Sequence, residues 1–339
     1  MGRDRPGRAS TVIGFCMAAG AGTRLTPLTR VTPKALLAPA GRPLVDLAVE
    51  ALRAAGATRV VVNAHHGADQ LIAHLAGRPG VEVAAEPVLL GTGGGLVNAA
   101  RLGLLGAGDD PVLVTAADHV VDPADLAELA AVPDRAGVPM AAGLVPSGRD
   151  PFGLRLAGGR VVRDPDGPWD SAGAYAVRAG LLAGLEPGPA SLVARVLGPL
   201  LERGQVAGSP FRGPMADAGT LARLLEVSAG LLSGRWPYAR PPGRVRRAVG
   251  TGPVFVASGA EVDPTAVLAG PVVLDAGSRV GPGAVLTRSV VGPGSVVGPG
   301  CRLVGSFLGP GAHLPPHATA TAALVPGPPA RERANDAAR

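Results

Sequence analysis

From about residue 254 onward, the chain repeats with a period of six residues. Aliphatic residues recur at this spacing, with two steps of five before Val291 and before Leu308, and Gly-Pro-Gly triplets follow several of them. This period, combined with small turn residues, predicts a triangular coil of short parallel strands whose aliphatic residues point inward. The predicted inward positions are Val256, Val262, Leu268, Leu274, Val280, Leu286, Val291, Val297, Leu303, Leu308 and Leu314.

The steps of five recur once per three-sided coil, which predicts about four coils. The pattern resembles the hexapeptide repeat of left-handed parallel β-helices. The composition agrees with it, because 51 Gly and 35 Pro beside only 3% aromatic residues indicate tight turns and small-residue packing. A chain of 339 residues is also long enough for a second, larger domain in front of the repeat.

The first two thirds of the chain alternate between strand and helix patterns. Such alternation predicts an α/β domain with a mostly parallel, Rossmann-like sheet, helices on both faces, and ligands beyond the carboxyl ends of the strands. The later part, over 138–178, consists of shorter strand-like pieces, followed by helices. We predict strands at 11–17, 59–63, 81–85 and 111–116, and helices at 43–55, 67–76, 94–104, 190–203 and 219–232.

These patterns give four segments. A catalytic α/β domain is predicted over 11–234, and a Pro- and Arg-rich linker over 235–250. The short β-helix follows over 251–324, and the polar, Pro-rich residues 325–339 are predicted to form a disordered tail.

Charge and cysteine content indicate the cellular compartment and the kind of binding partner to expect. Cys16 and Cys301 form neither a disulfide framework nor a metal-ligand cluster, and no apolar stretch is long enough to span a membrane, so we expect a cytoplasmic protein. The net charge of +6 comes from scattered arginines without a stacked-aromatic platform, and we expect no nucleic-acid partner. Lys34 is the single lysine, which indicates a position that needs an ammonium group rather than a guanidinium.

The most informative motif covers residues 17–45, MAAGAGTRLTPLTRVTPKALLAPAGRPLV. A Gly-rich turn directly after a strand lets backbone N–H groups approach a triphosphate. Arg24 can clamp departing phosphates through a bidentate contact, and Lys34 offers a compact charge to the reacting phosphates. The run Gly-Thr-Arg-Leu, Pro-Leu-Thr and Pro-Lys resembles the signature of the nucleoside-diphosphate-sugar pyrophosphorylase family, also called sugar-1-phosphate nucleotidyltransferases.

That resemblance covers about residues 11–232 and implies an enzyme that joins a nucleoside triphosphate to a sugar 1-phosphate and releases pyrophosphate. The segment LLGTGGGL at 89–96 resembles the family's Leu-Gly-Thr-Ala-Gly segment beside the base and ribose. Arg24, Lys34 and Asp118 are implied as catalytic residues, and Asp118 and Asp217 as ligands of Mg²⁺. The implied nucleotide-binding residues are Ala18, Ala19, Gly20, Gly22, Thr23, Glu86, Gly91 and Thr92.

On the acceptor side the chain departs from the family pattern. Glu-Lys-Pro is replaced by Arg163-Asp164-Pro165, and Asn-Ala-Gly-Ile-Tyr by the sequence from Ser171 to Tyr175. We predict sugar-phosphate contacts by Arg163, Gly153 and Ser171, with Arg163 taking the place of the lysine on the ground of charge.

The layout resembles mannose-1-phosphate guanylyltransferases most, which implies GTP and mannose 1-phosphate. A uridylyl- or thymidylyltransferase acting on another sugar 1-phosphate, a non-catalytic regulatory subunit, and an acyltransferase working through the β-helix stay open as alternatives. The β-helix is expected to mediate homo-oligomerisation or regulation, because its flat faces offer extended contact surfaces. His65 and His66 are interpreted as structural, and His313 and His317 as lying in too few coils for an acyltransferase site.

Overall fold

The computed structural model describes residues 11–148, 153–243, 245–248 and 252–329. The α/β domain contains eleven strands within these residues: β1 Ile13–Met17, β2 Arg59–Ala64, β3 Val81–Ala85, β4 Pro111–Ala116, β5 His119–Val121, β6 Met140–Pro146, β7 Leu154–Ala157, β8 Arg160–Arg163, β9 Trp169–Arg178, β10 Val206–Pro210 and β11 Met215–Asp217. Its helices are α1 Leu44–Ala54, α2 Ala68–Leu75, α3 Gly91–Arg101, α4 Pro123–Ala136, α5 Ala179–Ala183, α6 Gly198–Glu202 and α7 Leu221–Leu232.

Nine strands form the main sheet in the order β3-β2-β1-β4-β9-β6-β10-β8-β7. The strands β3, β2, β1 and β4 run parallel, as predicted, so their carboxyl ends meet at one edge. Strand β9 is antiparallel to both β4 and β6, and β7 and β8 form an antiparallel pair, so the half of the sheet from β9 to β7 is mixed. Strands β7 and β8 are joined by a turn too short for the helical crossover that parallel neighbours need, whereas β10 runs parallel to β6.

Helices cover both faces of this sheet, and their boundaries follow local chemistry. Helix α4 begins after Asp122, whose carboxylate accepts the Ala124 N–H at 2.9 Å, and ends at Gly137 in the left-handed conformation. Helix α3 begins at Gly91, three residues before its predicted start. The helix predicted over 190–203 is a π-helical turn, Val193–Leu197, followed directly by α6.

The C-terminal part forms the predicted left-handed β-helix. Its strands stack in parallel in three sheets, and from Val273 onward each register partner follows after 17 residues. The predicted inward residues line its interior, most of them fully buried. An antiparallel strand precedes the coils, and the strands are β12 Val245–Ala248, β13 Gly252–Val256, β14 Glu261–Val262, β15 Val267–Ala269, β16 Val272–Leu274, β17 Arg279–Val280, β18 Val285–Thr287, β19 Val290–Val291, β20 Val296–Val297, β21 Arg302–Val304, β22 Phe307–Leu308, β23 His313–Leu314, β24 Thr319–Thr321 and β25 Leu324–Val325.

The stretch predicted as a linker contains buried residues, one of them large. Trp236 is 1% exposed, its indole N–H donates to the Pro214 carbonyl at 2.8 Å, and Ala239 is fully buried. Both belong to an apolar cluster that joins the α/β domain to one face of the β-helix. Part of the predicted linker and most of the predicted tail, residues 330–339, lie outside the described residues.

Two other sequence expectations concern cysteines and membrane spans. Cys16 and Cys301 are both buried and neither forms a disulfide; burial together with the charge of Asp118 raises the pKa of the Cys16 thiol. Over the described ranges, none of the helices combines the length and apolar character needed to cross a bilayer.

Candidate active site

A cavity of about 350 Å³ opens at the carboxyl ends of β1 and β4. Sequence-predicted residues from four separate segments meet there, together with Asn63 and Gly219, which the sequence analysis did not single out. The predicted residues that line the cavity are Ala18, Ala19, Gly20, Gly22, Thr23, Arg24, Lys34, Gly91, Thr92 and Asp118.

The signature loop, residues 18–37, folds back on itself through three single-turn 3-10 helices, Thr23–Leu25, Leu28–Arg30 and Lys34–Leu36. Gly22 has φ 62°, and a Cβ there would lie 2.9 Å from Thr29 Cγ2 and 3.0 Å from Lys34 Cβ. Only glycine adopts this conformation readily at such close approach. The Thr29 hydroxyl also donates to the Gly22 carbonyl at 3.1 Å, so the loop holds Lys34 against the Gly-rich turn.

Lys34 and Asp118 form an ion pair at the cavity wall. Burial alone raises the pKa of the Asp118 carboxyl, but the charges of His119 and Lys34 and the hydrogen bond from Lys34 outweigh it, so the pKa lies below its usual value. Asp118 is therefore a carboxylate at neutral pH. An ammonium and a carboxylate in contact, both mostly shielded from solvent, suit the binding of phosphates and of a cation respectively.

Asp217 reaches the same end of the molecule on a two-stranded sheet. Strand β11 pairs antiparallel with β5, which sets Asp217 opposite His119, and the Ala218 N–H donates to the Asp118 carbonyl at 2.8 Å. The Asp217 carboxylate accepts the Gly219 N–H at 2.7 Å and pairs with Arg223. A Cβ at Gly219 would lie 2.7 Å from a guanidinium nitrogen of Arg24, so Arg24 packs directly beside this turn.

Glu86, predicted to bind the nucleotide, is 4% exposed and is not among the residues that line the cavity. Its carboxylate accepts from the Asn63 side-chain amide at 2.7 Å and from the Leu90 N–H at 3.1 Å. The side-chain oxygen of Asn63, Oδ1, in turn accepts the Ala18 N–H at 2.7 Å. Asn63 thus connects the Gly-rich turn to Glu86 and the segment before α3. In the sequence, the feature that could have identified Asn63 is its position as a polar residue at the end of the apolar strand RVVVN.

The start of α3 packs tightly against residues 188–192. The N–H groups of Gly93 and Gly94 donate to the Ala190 carbonyl at 3.0 and 3.1 Å, and the Thr92 hydroxyl accepts the Leu192 N–H at 2.8 Å. A Cβ at Gly93 would lie 2.5 Å from the Ser191 carbonyl oxygen. The run of glycines therefore permits a close approach of the backbone of residues 188–192.

The predicted acceptor residues do not line this cavity. Ser171 hydrogen-bonds Tyr175 at 2.9 Å between hydroxyls and accepts the Gly173 N–H. Arg163 is exposed at the end of β8, and Gly153 packs against the Asp164-Pro165 turn, where a Cβ would lie 2.5 Å from the Asp164 carbonyl oxygen. Their role in acceptor binding stays a prediction.

Two histidines predicted as structural connect the loops around the cavity. His65 Nδ1 lies 2.9 Å from the Glu86 carbonyl, and His66 Nε2 lies 2.7 Å from the Thr29 carbonyl. Because a carbonyl only accepts, both ring nitrogens act as donors. His119 lies against Gly173, with Nε2 3.9 Å from the Asp118 carboxylate.

Comparison with known proteins now identifies the class. Residues 13–150 match the nucleotidyl transferase family. The chain is 31% identical over 236 residues to the N-acetylmuramate alpha-1-phosphate uridylyltransferase of Neisseria meningitidis, which covers 65% of this chain and 97% of that relative. The protein of the same name from Caulobacter vibrioides is 43% identical over 115 residues, 32% of this chain and 46% of the relative.

A mannose-1-phosphate guanyltransferase of Aspergillus fumigatus is 36% identical over 108 residues, 30% of this chain and 29% of the relative. The chain thus spans less than half of the Caulobacter and Aspergillus proteins and nearly all of the Neisseria one. These similarities and the site define a nucleotidyltransferase. The chain belongs to the family of sugar-1-phosphate nucleotidyltransferases.

Proposed function

We propose that this protein transfers a nucleotidyl group from a nucleoside triphosphate to a sugar 1-phosphate and releases pyrophosphate. The observation that carries the proposal is the Lys34–Asp118 ion pair in the wall of a cavity whose rim holds Arg24 and a Gly-rich turn. A cation for phosphate beside a carboxylate for a metal is the pairing that phosphoryl-type transfer requires.

In the reaction, an oxygen of the sugar 1-phosphate attacks the α-phosphorus in line, a new P–O bond forms, and the bond to pyrophosphate breaks. Arg24 binds the leaving pyrophosphate, and Lys34 neutralises the phosphates that react. The turn at 18–23 and the start of α3 hold the nucleotide. Catalysis then rests on positioning and charge neutralisation, because no covalent chemistry is required of the protein.

The residues present fit a hard divalent cation, and we propose Mg²⁺. Asp118, directly before β5, and Asp217, on the strand paired with β5, would supply oxygen ligands. The described part of the chain has no cluster of three or more potential metal-ligating side chains, so substrate oxygens would have to complete the shell. Two carboxylates with substrate phosphates completing the shell is the usual arrangement for Mg²⁺. When bound, the ion would draw charge from the α-phosphate oxygens; the protein's part is to hold the two carboxylates in place.

Two substrate pairs are put forward, each on its own observation. GTP with mannose 1-phosphate follows from the α/β domain joined to a short β-helix and from the guanyltransferase relative. UTP with N-acetylmuramate 1-phosphate follows from the two uridylyltransferase relatives.

The test is a measurement of pyrophosphate release by the purified full chain with Mg²⁺, across five nucleoside triphosphates and a panel of sugar 1-phosphates. Release confined to one pair supports the proposal and names the substrates. A folded protein that binds nucleotide but releases no pyrophosphate with any pair contradicts it and favours a non-catalytic regulatory subunit.

Asp118→Asn is the sharpest variant for this reaction. We expect turnover to disappear while the thermal unfolding temperature stays near that of the wild type, since the amide cannot serve as an anionic ligand. Asp69→Asn, an exposed aspartate on α2, is the matched control and should keep full activity. Near-normal turnover in Asp118→Asn would overturn the assignment.

A further inference from the structure

One face of the β-helix carries an unbroken outward row of apolar side chains, here called the apolar row: Phe255, Val273, Val290, Phe307 and Leu324. Each precedes an inward aliphatic residue, and the first four are at most 2% exposed. The corresponding outward positions of a second face are Glu261, Arg279, Val296 and His313. Those of the third face are Val267, Val285, Arg302 and Thr319. Among the described residues, the first face is therefore the one with apolar side chains at every outward position.

The signature loop is one of the segments that cover the apolar row, and Phe255 also packs beside Gly41 and Gly243. Leu25 and Leu28, both buried, belong to the same apolar cluster as the row, together with α1 and α7. A close approach occurs at Gly309, one residue after β22, where a Cβ would lie 2.9 Å from Leu28 Cδ2. Leu25 directly follows Arg24, and Leu28 directly precedes Thr29, whose hydroxyl donates to the Gly22 carbonyl.

A continuous set of contacts leads from Leu28 to Lys34. Thr29 bonds the Gly22 carbonyl, and Gly22 packs against both Thr29 and the Lys34 side chain. From the opposite side, His66 donates to the Thr29 carbonyl. The signature loop is thus held between the end of β2 and the β-helix.

The loop needs such support because its own structure is weak. Its regular structure consists of three single-turn 3-10 helices, which have poor hydrogen-bond geometry and depend on packing. A misplacement of about 1 Å in a positioning group can cost about a hundredfold in rate. A rigid, stacked β-helix is well suited to supply a fixed surface beneath such a loop.

We propose that the β-helix braces the active site, and that Val290, Phe307 and Gly309 act as positioning residues for Arg24 and Lys34 by fixing Leu25 and Leu28. This role differs from oligomerisation, because the apolar row is covered by residues of the same chain and is not free to contact a second copy. The proposal rests on the proposed function only for the roles of Arg24 and Lys34.

The experiment uses the full chain and two matched substitutions. Val290→Ala removes volume from the apolar row, and Val296→Ala makes the same change six residues later on another face. Gly309→Ala adds a methyl group beneath Leu28 without entering a left-handed conformation. Selective ¹³C-lysine labelling then gives one side-chain ε-methylene resonance, since Lys34 is the single lysine.

We expect Val290→Ala and Gly309→Ala to shift the Lys34 resonance in the substrate-free protein and to lower kcat about tenfold or more, with circular dichroism unchanged. Val296→Ala should leave both at wild-type values. In a Leu28→Ala background, Gly309→Ala should no longer shift the resonance, since the added methyl then meets no side chain. This double-mutant cycle of Gly309→Ala and Leu28→Ala separates an effect on the position of Lys34 from a general loss of stability.

Unshifted Lys34 resonances in folded Val290→Ala and Gly309→Ala would overturn the brace, as would an equal shift in Val296→Ala. The resonance is read without substrate, so it is independent of the proposed reaction. A shifted resonance in a protein that turns over no substrate pair would leave the brace standing and remove the proposed function.

Discussion

Lys34 illustrates how much one residue contributes at this site. Most of the chain's positive charge is carried by arginine, yet the ion pair with Asp118 is made by the single lysine. Its Cβ packs against Gly22, which leaves a narrow path for the side chain. A slender four-carbon stem with a compact ammonium fits where a planar guanidinium does not.

Lys34→Arg should therefore lower kcat by about 10²-fold to 10³-fold, the usual loss on removing one group that stabilises charge in the transition state. Charge is preserved, so an effect of this size would come from geometry. Arg30→Lys, the reverse change at an exposed position of the same loop, should leave steady-state kinetics unaltered. Wild-type kinetics in Lys34→Arg would contradict the role given to the ammonium group.

Asp46 on α1 makes the free energy of unfolding depend on pH in the acid range. Burial raises the pKa of its carboxyl, but hydrogen bonds and charges from His74 and Arg78 outweigh this, and the pKa is lowered overall. The unfolded state, with an ordinary pKa of about 3.9, then binds more protons than the folded state, so this contribution is present above about pH 4 and is lost as pH falls further.

We expect Asp46→Asn to destabilise the protein at neutral pH and the stability difference from wild type to shrink below about pH 4. Urea unfolding at a series of pH values measures this. Asp69→Asn serves again as the control, because that side chain is exposed. A difference that stays constant down to pH 2.5 would show that the Asp46 charge is not responsible.

At the level of elements, the start of α3 is constrained by its neighbour rather than by helix propensity. Three successive glycines are poor helix formers. They occur where backbone of residues 188–192 approaches so closely that a Cβ at Gly93 or Gly94 would lie 2.5 or 2.4 Å from a carbonyl oxygen. The family segment that this sequence resembles has Ala at the position of Gly93. The Cβ of an alanine would not fit beside the Ser191 carbonyl oxygen as it lies in this chain.

Gly93→Ala should displace residues 188–192, with a loss of about 1–3 kcal/mol in unfolding free energy, as for other overpacking changes, and a raised KM for the nucleotide. Gly184→Ala is the control, because its nearest neighbour would be an ordinary contact at 3.7 Å and its backbone is helical. Equal stability and equal KM in both variants would refute the packing argument.

For the whole molecule, the shared apolar cluster makes the α/β domain and the β-helix interdependent. Trp236 lies in this cluster, almost fully buried, with α7 on one side and the β-helix nearby. A buried contact of this kind ties the stability of each part to the other. The two remaining faces of the β-helix are available for the predicted homo-oligomerisation.

We expect one cooperative unfolding transition, at the same denaturant concentration by tryptophan fluorescence and by far-ultraviolet circular dichroism. Phe307→Ala, which removes a large side chain from the shared cluster, should shift both curves together. Separate transitions for the two signals would mean that the parts unfold independently.

Much of this protein was predictable from short stretches of sequence. The six-residue repeat, the strand and helix alternation and the signature at 17–45 each depend on neighbouring residues, and local patterns determine local structure. They led to the β-helix, the parallel half of the sheet and the residues Arg24, Lys34 and Asp118 that line one cavity.

Other features depend on residues far apart in sequence and only the tertiary structure decided them. Asn63 links the Gly-rich turn to Glu86, β9 enters the sheet antiparallel, and the apolar row packs beneath Leu28. An apolar side chain on a β-helix face looks the same in the sequence whether it faces solvent, another subunit or the active-site loop. Which of these it meets is determined by how the folded elements pack together, because burial is a property of the whole assembly of contacts.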